Sequence, residues 1–367
     1  MADNIFWLWL MNLRGIGLKK KRCLLAALGS PEAVFEGNRE TLAATEMLRP
    51  KELAALLAGK NLSAARQIQK FCQAAGVSII TPRDRLYPEG LKNLYTPPLG
   101  LFARGRLELL ATSLKIGVVG ARKATLSGQS QAQKFAEALS SAGVTVVSGM
   151  AEGIDSAGHL GALAGLGGTV AVMGTGIDRC YPAKNRALCQ QIAAQGLLLT
   201  EFLPGERAAP YHFPLRNRII SGLSDGVLVV EAGEKSGAMI TVDYALEQGK
   251  NIYAIPGDIQ VAQKAGTNRL IKEGAKLVTS PSEILEDFFP PSDPKTAFSY
   301  KKSVEPSMVA VTDENQRLCL KQIALGYDTL DTLALVTGLE IRQVNVAVSM
   351  LELSGVVRVA HGKIILL

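Results

Sequence analysis

The sequence predicts an α/β protein built on a doubly wound parallel sheet, with a helical N-terminal segment before it and a C-terminal winged helix after it. Three observations predict this. From residue 114 onward short apolar segments recur with helical stretches between most of them, the rhythm of a parallel sheet covered on both faces. At 367 residues the chain is too long for one ordinary core, so two or three domains are expected. Beyond residue 308 the pattern becomes three helices followed by a pair of strands.

Residues 1–75 read as helices: Leu8, Leu10 and Met11, then Cys23, Leu24, Leu25 and Leu28, then an Ala/Leu-rich run from Lys51 to Ala75 broken near Gly59. The stretch "LRGIGLKKKRCLL" places a Gly-x-Gly turn between two short helices, followed by four cations, Lys19 to Arg22. It resembles a helix-hairpin-helix, whose turn amides can hold a phosphate without reading bases. A glycine helix cap beside a solvated basic face is the alternative.

The strands that follow are expected at "KIGVVG" (115–120), "VTVVSG" (144–149), "TVAVMG" (169–174), "LLLTEF" (197–202), "GVLVVEA" (226–232), "NIYAIPG" (251–257) and "AKLVTS" (275–280). Helices are expected over 129–142, 154–165, 185–195, 238–248 and 266–273. Residues 288–308 hold four prolines and little periodicity, so they read as a linker. Then "ENQRLCLKQIA", "TLDTLALVTGL" and "EIRQVNVAVSMLELSG" read as three helices, and "VVRVAHGKIILL" as a hairpin turning at His361-Gly362.

Composition narrows the function. Hydrophobic residues at 47% suit a folded chain, yet no apolar run approaches the roughly 20 residues of a membrane span. An acid precedes the first apolar patch and no basic n-region does, so a signal peptide is not expected. The five cysteines are scattered, odd in number and without a CxxC pair, which points to reduced thiols in a cytoplasmic protein and against a zinc site or disulfide framework. The net charge of +7 is uneven: residues 1–111 carry 16 Lys+Arg against 9 Asp+Glu, whereas residues 112–287 carry 16 of each. The middle segment must therefore bind any anion by local placement.

In open parallel sheets ligands bind outside the carboxyl ends of the strands. The loops expected there are "GARKATLSG", "SGMAEGIDSAGH", "GTGIDRCYPAKN" and "EAGEKSGAMIT", which share small residues, hydroxyls and helix N-termini. Those are the ingredients of an anion cradle. A dinucleotide fingerprint is incomplete, because Arg179 stands where the third glycine after Gly174 and Gly176 belongs, and no Walker A sequence exists. His159, His212 and His361 lack metal-ligand spacing, and His159 reads as a packing residue. Asp155 and Asp178 read as caps of helices or turns rather than general acids or bases. What remains is a set of cations, Arg122, Lys184, Arg216, Arg218 and Lys235, expected on one rim, with Asn217 between two of the arginines. One of that pair is expected to clamp a structural carboxylate such as Glu201 or Glu231.

Taken in order, "YPEGLKNLYTPPLGLFARG", "VVGARKAT", "SGMAEGIDSAGHLGAL", "GIDRCYP", "FPLRNRIISGLSDGVLVVEA", "SGAMIT" and "GTNRLIKEGA" resemble the DNA-processing protein A (DprA/Smf) family, from about residue 80 to 287. The resemblance implies an extended Rossmann-like core that binds and protects single-stranded DNA, forms a homodimer and helps load the recombinase RecA during natural transformation. It implies no catalytic residue, metal or cofactor. It implies DNA contacts at Arg122, Thr125, Lys184, Asn185, Arg216, Asn217, Arg218, Ser236, Gly237 and Thr241. The domains are then expected as helical, helix-hairpin-helix or SAM-like, at 1–78, a Rossmann-like DNA-binding core at 79–287, the linker at 288–308 and the winged helix at 309–367.

The sequence departs from the family where Ser127 replaces a frequent aromatic, so any base stacking is expected from Phe213 or Tyr181 instead, and where Val242 replaces a small residue, which bears on helix packing only. Two rival readings remain. A phosphoribohydrolase-type, Rossmann-like nucleotide-processing enzyme would use the same sheet edge, but its Pro-Gly-Gly-x-Gly-Thr loop is missing. A sequence-specific regulator would read DNA through the helix Glu340 to Leu353, where Arg342 is the single cation and Val344, Val348 and Leu351 face inward.

Overall fold

The computed structural model describes residues 4–289, 313–324, 329–354, 356–360 and 363–366. The expected linker from residue 290 and the His361-Gly362 turn lie outside the described residues. The chain divides into two compact units, Met1–Pro290 and Pro291–Leu367.

The first unit opens with α1 (Ile5–Asn12), α2 (Leu18–Leu28), α3 (Pro31–Glu36), α4 (Arg39–Ala43), α5 (Pro50–Ala58) and α6 (Ser63–Ala74). Local chemistry sets their ends. Ser30 caps α3 by accepting the Ala33 amide at 3.0 Å, with Pro31 at the first helical position, and Asn38 caps α4 through Thr41. The cations of the basic run are engaged within the protein: Lys20 pairs with Glu52, Lys21 donates to the Met11 carbonyl, Arg22 to that of Pro97, and Lys19 to Tyr95 Oη. Lys20 and Lys21 are thereby held among the N-terminal helices, while Lys19 and Arg22 reach residues 95 and 97.

β1 (Ser78–Ile80), α7 (Glu89–Lys92) and β2 (Leu101–Gly105) lead into the repeating part. There β3 (Lys115–Val119), α8 (Leu126–Ser141), β4 (Thr145–Ser148), α9 (Ile154–Ala162), β5 (Thr169–Val172), α10 (Arg186–Gln195), β6 (Leu197–Thr200), α11 (His212–Leu223), β7 (Gly226–Val229), α12 (Ala238–Glu247), β8 (Asn251–Ala254), α13 (Ala265–Lys272), β9 (Lys276–Leu277) and α14 (Ser282–Phe288) follow. Helix α14 carries the chain through Phe288, one residue into the expected linker.

Among the described residues the unit holds one sheet in the order β1-β2-β6-β5-β4-β3-β7-β8-β9. All seven strands expected after residue 114 are present and parallel, each shorter than the apolar run that announced it. Two further strands sit at one edge: β1 pairs antiparallel with β2, and β2 antiparallel with β6.

Successive strand residues serve opposite faces. Val119, Val147, Val172 and Val229 pack with Ile219, Ile220 and Leu223 of α11 and Val242 of α12. Ile116, Val118, Val146 and Leu228 pack with Phe135 and Leu139 of α8 and Ile154 of α9. A third cluster joins Trp9, Leu24 and Leu56 of the N-terminal helices to Phe102, Ala171, Leu198 and Ile192, so residues on both sides of position 78 share one core.

The second unit comprises α15 (Glu314–Ala324), α16 (Leu330–Thr337), α17 (Ile341–Leu353), β10 (Val357–Ala360) and β11 (Lys363–Leu366), the two strands antiparallel. Val344, Val348 and Leu351 of α17 are buried with Cys319, Leu333, Val357 and Ile364. Among the described residues no helix is long and apolar enough to cross a membrane, and no group of three or more His, Cys, Asp or Glu could hold a metal ion.

Candidate functional site

The strand order reverses at β3: the chain runs outward through β4, β5 and β6 on one side and through β7, β8 and β9 on the other. The loops leaving β3 and β7 therefore diverge, and a cleft of about 900 Å³ opens between them. Its walls come from Gly120 to Lys123 after β3, Gly233 and Lys235 to Ala238 leading into α12, and Phe213, Pro214, Arg216 and Asn217 on α11.

Arg216 forms the floor. It is 4% exposed, and Nη1 donates to the carbonyls of Gly149 and Val172, at the ends of β4 and β5, while Nε donates to Asn217 Oδ1 at 3.1 Å. A Cβ on Gly149 would stand 2.5 Å from that guanidinium, so glycine is what lets the arginine lie there. Asp155 lines the same floor and accepts the Gly149 and Ala151 amides at 3.1 and 3.3 Å. Burial draws the Arg216 pKa down to about 10, against the pull of Asp155. Burial likewise pushes the Asp155 carboxyl up, against Arg216 and the two amides.

The exposed cations of the cleft are Arg122, Lys123 and Lys235, and none pairs with a carboxylate among the described residues. The Arg122 guanidinium lies over the Phe213 ring, 5.2 Å from its centroid, and Phe213 meets Tyr181 at 5.4 Å. On the far wall Ser236, Gly237 and Thr241 surround the N-terminus of α12, where the Ala238 amide donates to Ser236 Oγ at 3.3 Å and the Met239 amide to the Ser236 carbonyl at 3.0 Å. Asn217 Nδ2 donates to the Gly237 carbonyl at 3.4 Å, tying α11 to that turn.

The other expected residues divide by orientation. Thr125 caps α8 through the Gly128 amide, and its own amide and hydroxyl donate to buried Glu231 at 2.8 and 2.6 Å, so it fixes the loop that presents Arg122. Arg218 leaves the cleft altogether. Two residues along a helix rotate a side chain by about 200°, and Arg218 pairs with Glu201 in a separate cavity of about 210 Å³ beside Lys21 and Glu206. It is thus the arginine that clamps a structural carboxylate. Lys184 and Asn185 belong to a third groove of about 420 Å³: Lys184 Nζ is 3.7 Å from Glu152, and Asn185 Nδ2 donates to the Met150 carbonyl and Ser156 Oγ. The five cations expected on one rim are therefore not on one rim. Arg122 and Lys235 line the cleft, Arg216 lies beneath it, and Arg218 and Lys184 are elsewhere.

The expected caps hold their turns. Asp155 ties two amides, and Asp178 accepts the Gly205 amide at 2.8 Å. His159 is fully buried, accepting the Met150 amide at Nε2 and meeting Thr169 Oγ1 at 2.7 Å from Nδ1. Sequence reasoning singled out neither Lys123 as a cleft cation nor the Arg216–Asp155 couple. Lys123 adjoins Arg122 and was legible from that neighbour; the couple joins residues 61 positions apart and left no local signal.

Residues 78–289 match the family described as DNA recombination-mediator protein A. The DNA processing protein DprA of Streptococcus pneumoniae is 42% identical over 224 residues, 61% of this chain and 77% of that protein. An X-ray structure of DprA from the same species superposes with a TM-score of 0.69 at 34% identity, covering 78% of this chain and 99% of that one. The DNA processing protein A of Helicobacter pylori, whose structure is described as giving insights into a single-stranded DNA binding mode, superposes at 0.54 with 28% identity over 58% of this chain and 95% of its own.

Proposed function

The chain belongs to the DNA recombination-mediator protein A family, and from that premise we propose that it binds single-stranded DNA in the cleft between the β3 and β7 loops and delivers the strand to RecA. The observation that carries this is the grouping of three cations that pair with no carboxylate among the described residues, Arg122, Lys123 and Lys235, around the Phe213–Tyr181 pair and the α12 N-terminus. Phosphates need cations and amides at intervals, and bases need a flat apolar face. Asn217, Ser236, Gly237 and Thr241 complete the contact wall. Arg216 and Thr125 set the floor and loop beneath it, while Lys184 and Asn185 mark a path for a longer strand.

Binding without catalysis is the reading we favour over a nucleotide-processing enzyme. Asp155 is held by two backbone amides, and Glu231 by Thr125 and Lys264. Neither carboxylate is free to move a proton at a ligand. We assign the second unit to protein contacts as a winged helix, since Leu335, Val346 and Met350 are exposed on its helices. A homodimer working in the cytoplasm completes the proposal.

The test is a binding titration of single-stranded against duplex DNA at two salt concentrations. Tighter binding to the single strand, weakening steeply with salt, is expected; preference for duplex would sink the assignment. Release of free base from nucleoside monophosphates would instead establish the enzyme.

A further inference from the structure

We propose that a groove lined by Arg104, Arg179 and Arg186 is a second phosphate-binding segment, which takes the phosphodiester backbone of a single strand continuing past the cleft. It rests on the reading of the cleft as a single-strand site. The groove, of about 620 Å³, shares no lining residue with the cleft. Three elements build it. Arg104 on β2 stands opposite Leu198 on β6 in the antiparallel register, so the two side chains share one face of the sheet. Arg186, Gln190 and Ala193 recur at the three- and four-residue spacing of one helix face, which α10 turns to the groove. Arg179 comes from the loop between β5 and α10.

Among the described residues Asp178 is the one acid that lines this groove, and it is engaged. It accepts the Gly205 amide at 2.8 Å, and its other oxygen is 3.9 Å from Arg179 Nε, which donates to the Gly205 carbonyl at 2.9 Å. Arg104 and Arg186 are exposed and pair with no carboxylate among the described residues. Three guanidiniums around one engaged carboxylate leave a net positive field, and their planar forks suit phosphate oxygens. Because the arginines are exposed, each contact in isolation gains little. A polyanion sums several such contacts and releases counterions at each, which favours a strand over a free nucleotide. The position agrees. Cys180 lines the groove and the next residue, Tyr181, lines the cleft against Phe213, so the two sites lie on two sides of one loop.

The full chain is titrated across salt with a short oligothymidylate of about 5 nucleotides and a long one of about 20. The short strand fills the cleft alone. The long strand reaches the groove as well, so its slope of log K against log[salt] should be steeper by about 2, three phosphates at about 0.7 each. Arg104→Ala/Arg186→Ala should weaken long-strand binding by roughly tenfold at low salt and remove about 1.4 of that slope. Short-strand affinity and the melting temperature should stay unchanged in this variant. Arg122→Ala should weaken both lengths, and Arg66→Ala/Lys70→Ala, the same loss of charge at exposed positions of α6, should weaken neither. Long-strand affinity and slope that survive Arg104→Ala/Arg186→Ala, while Arg122→Ala still weakens binding, would overturn the groove and leave the cleft standing. Equal loss at both lengths, or equal loss from the α6 pair, would also overturn it. Thymidine monophosphate that erased the difference between the two lengths would make the groove a nucleotide site instead. A wild type that binds neither length would overturn the cleft and the groove together.

Discussion

Arg122 and Arg216 both line the cleft, yet a truncation at each should read out differently. Arg122 is exposed and pairs with no carboxylate among the described residues. Arg122→Ala should therefore leave the melting temperature unchanged and weaken single-strand affinity by roughly fivefold, about 1 kcal/mol. Arg216 is buried against two strand-end carbonyls and Asp155. Removing it leaves the buried Gly149 and Val172 carbonyls without their donor, so Arg216→Ala should cost about 1–3 kcal/mol of folding stability, seen as a lower urea midpoint. An unchanged midpoint would return Arg216 to the role of a plain phosphate contact. The sequence shows two arginines flanking an asparagine, and the expectation that one of them clamps an acid is met by Arg218 and Glu201. It could not show that the second is buried as well, because the carbonyls of Gly149 and Val172 come from distant strands and carry no side-chain signature.

Helix α9 reaches strands β4 and β5 through His159, and that joint makes stability depend on pH. Burial, with Arg216 adding to it, lowers the His159 pKa to about 3. The unfolded chain takes up this proton below about pH 6.5, the folded chain only near 3, so protonation favours unfolding. The contribution is complete above about 6.5 and is lost as pH falls, at up to about 1.4 kcal/mol per unit. Urea midpoints between pH 7 and pH 5 should fall more steeply for the wild type than for His159→Gln; parallel profiles would show that the ring is protonated in the fold. Elements of this kind were legible to different degrees. The parallel strands announce themselves because both faces are buried, giving near-continuous apolar runs such as "KIGVV" and "GVLV". β1 and β2 escaped notice because three- and five-residue antiparallel strands, the second ending in exposed Arg104 and Gly105, carry no such run.

Charge at the scale of the whole chain does not point to the cleft. The excess of cations lies in residues 1–111, yet Lys19 to Arg22 of that excess are engaged with Tyr95, Glu52 and backbone carbonyls. The cleft lies instead in the charge-balanced middle, where Arg122, Lys123 and Lys235 pair with no carboxylate among the described residues. Three such contacts predict a slope of log K against log[salt] near −2, at about −0.7 per phosphate on single strands. The second unit offers little to add. Residues 309–367 carry 5 Lys+Arg against 6 Asp+Glu, and α17 buries Val344, Val348 and Leu351 in the unit's own core. Each unit has its own hydrophobic clusters, so removing 309–367 takes away no core residue of the first. The truncated chain should keep its single-strand affinity within roughly threefold, about 0.6 kcal/mol, with the same salt slope. Affinity and slope fall together when phosphate contacts are lost, whereas a change in folding moves affinity alone. A paired titration across salt separates the two, and a weaker, shallower binding curve for the truncation would place the second unit in the DNA site.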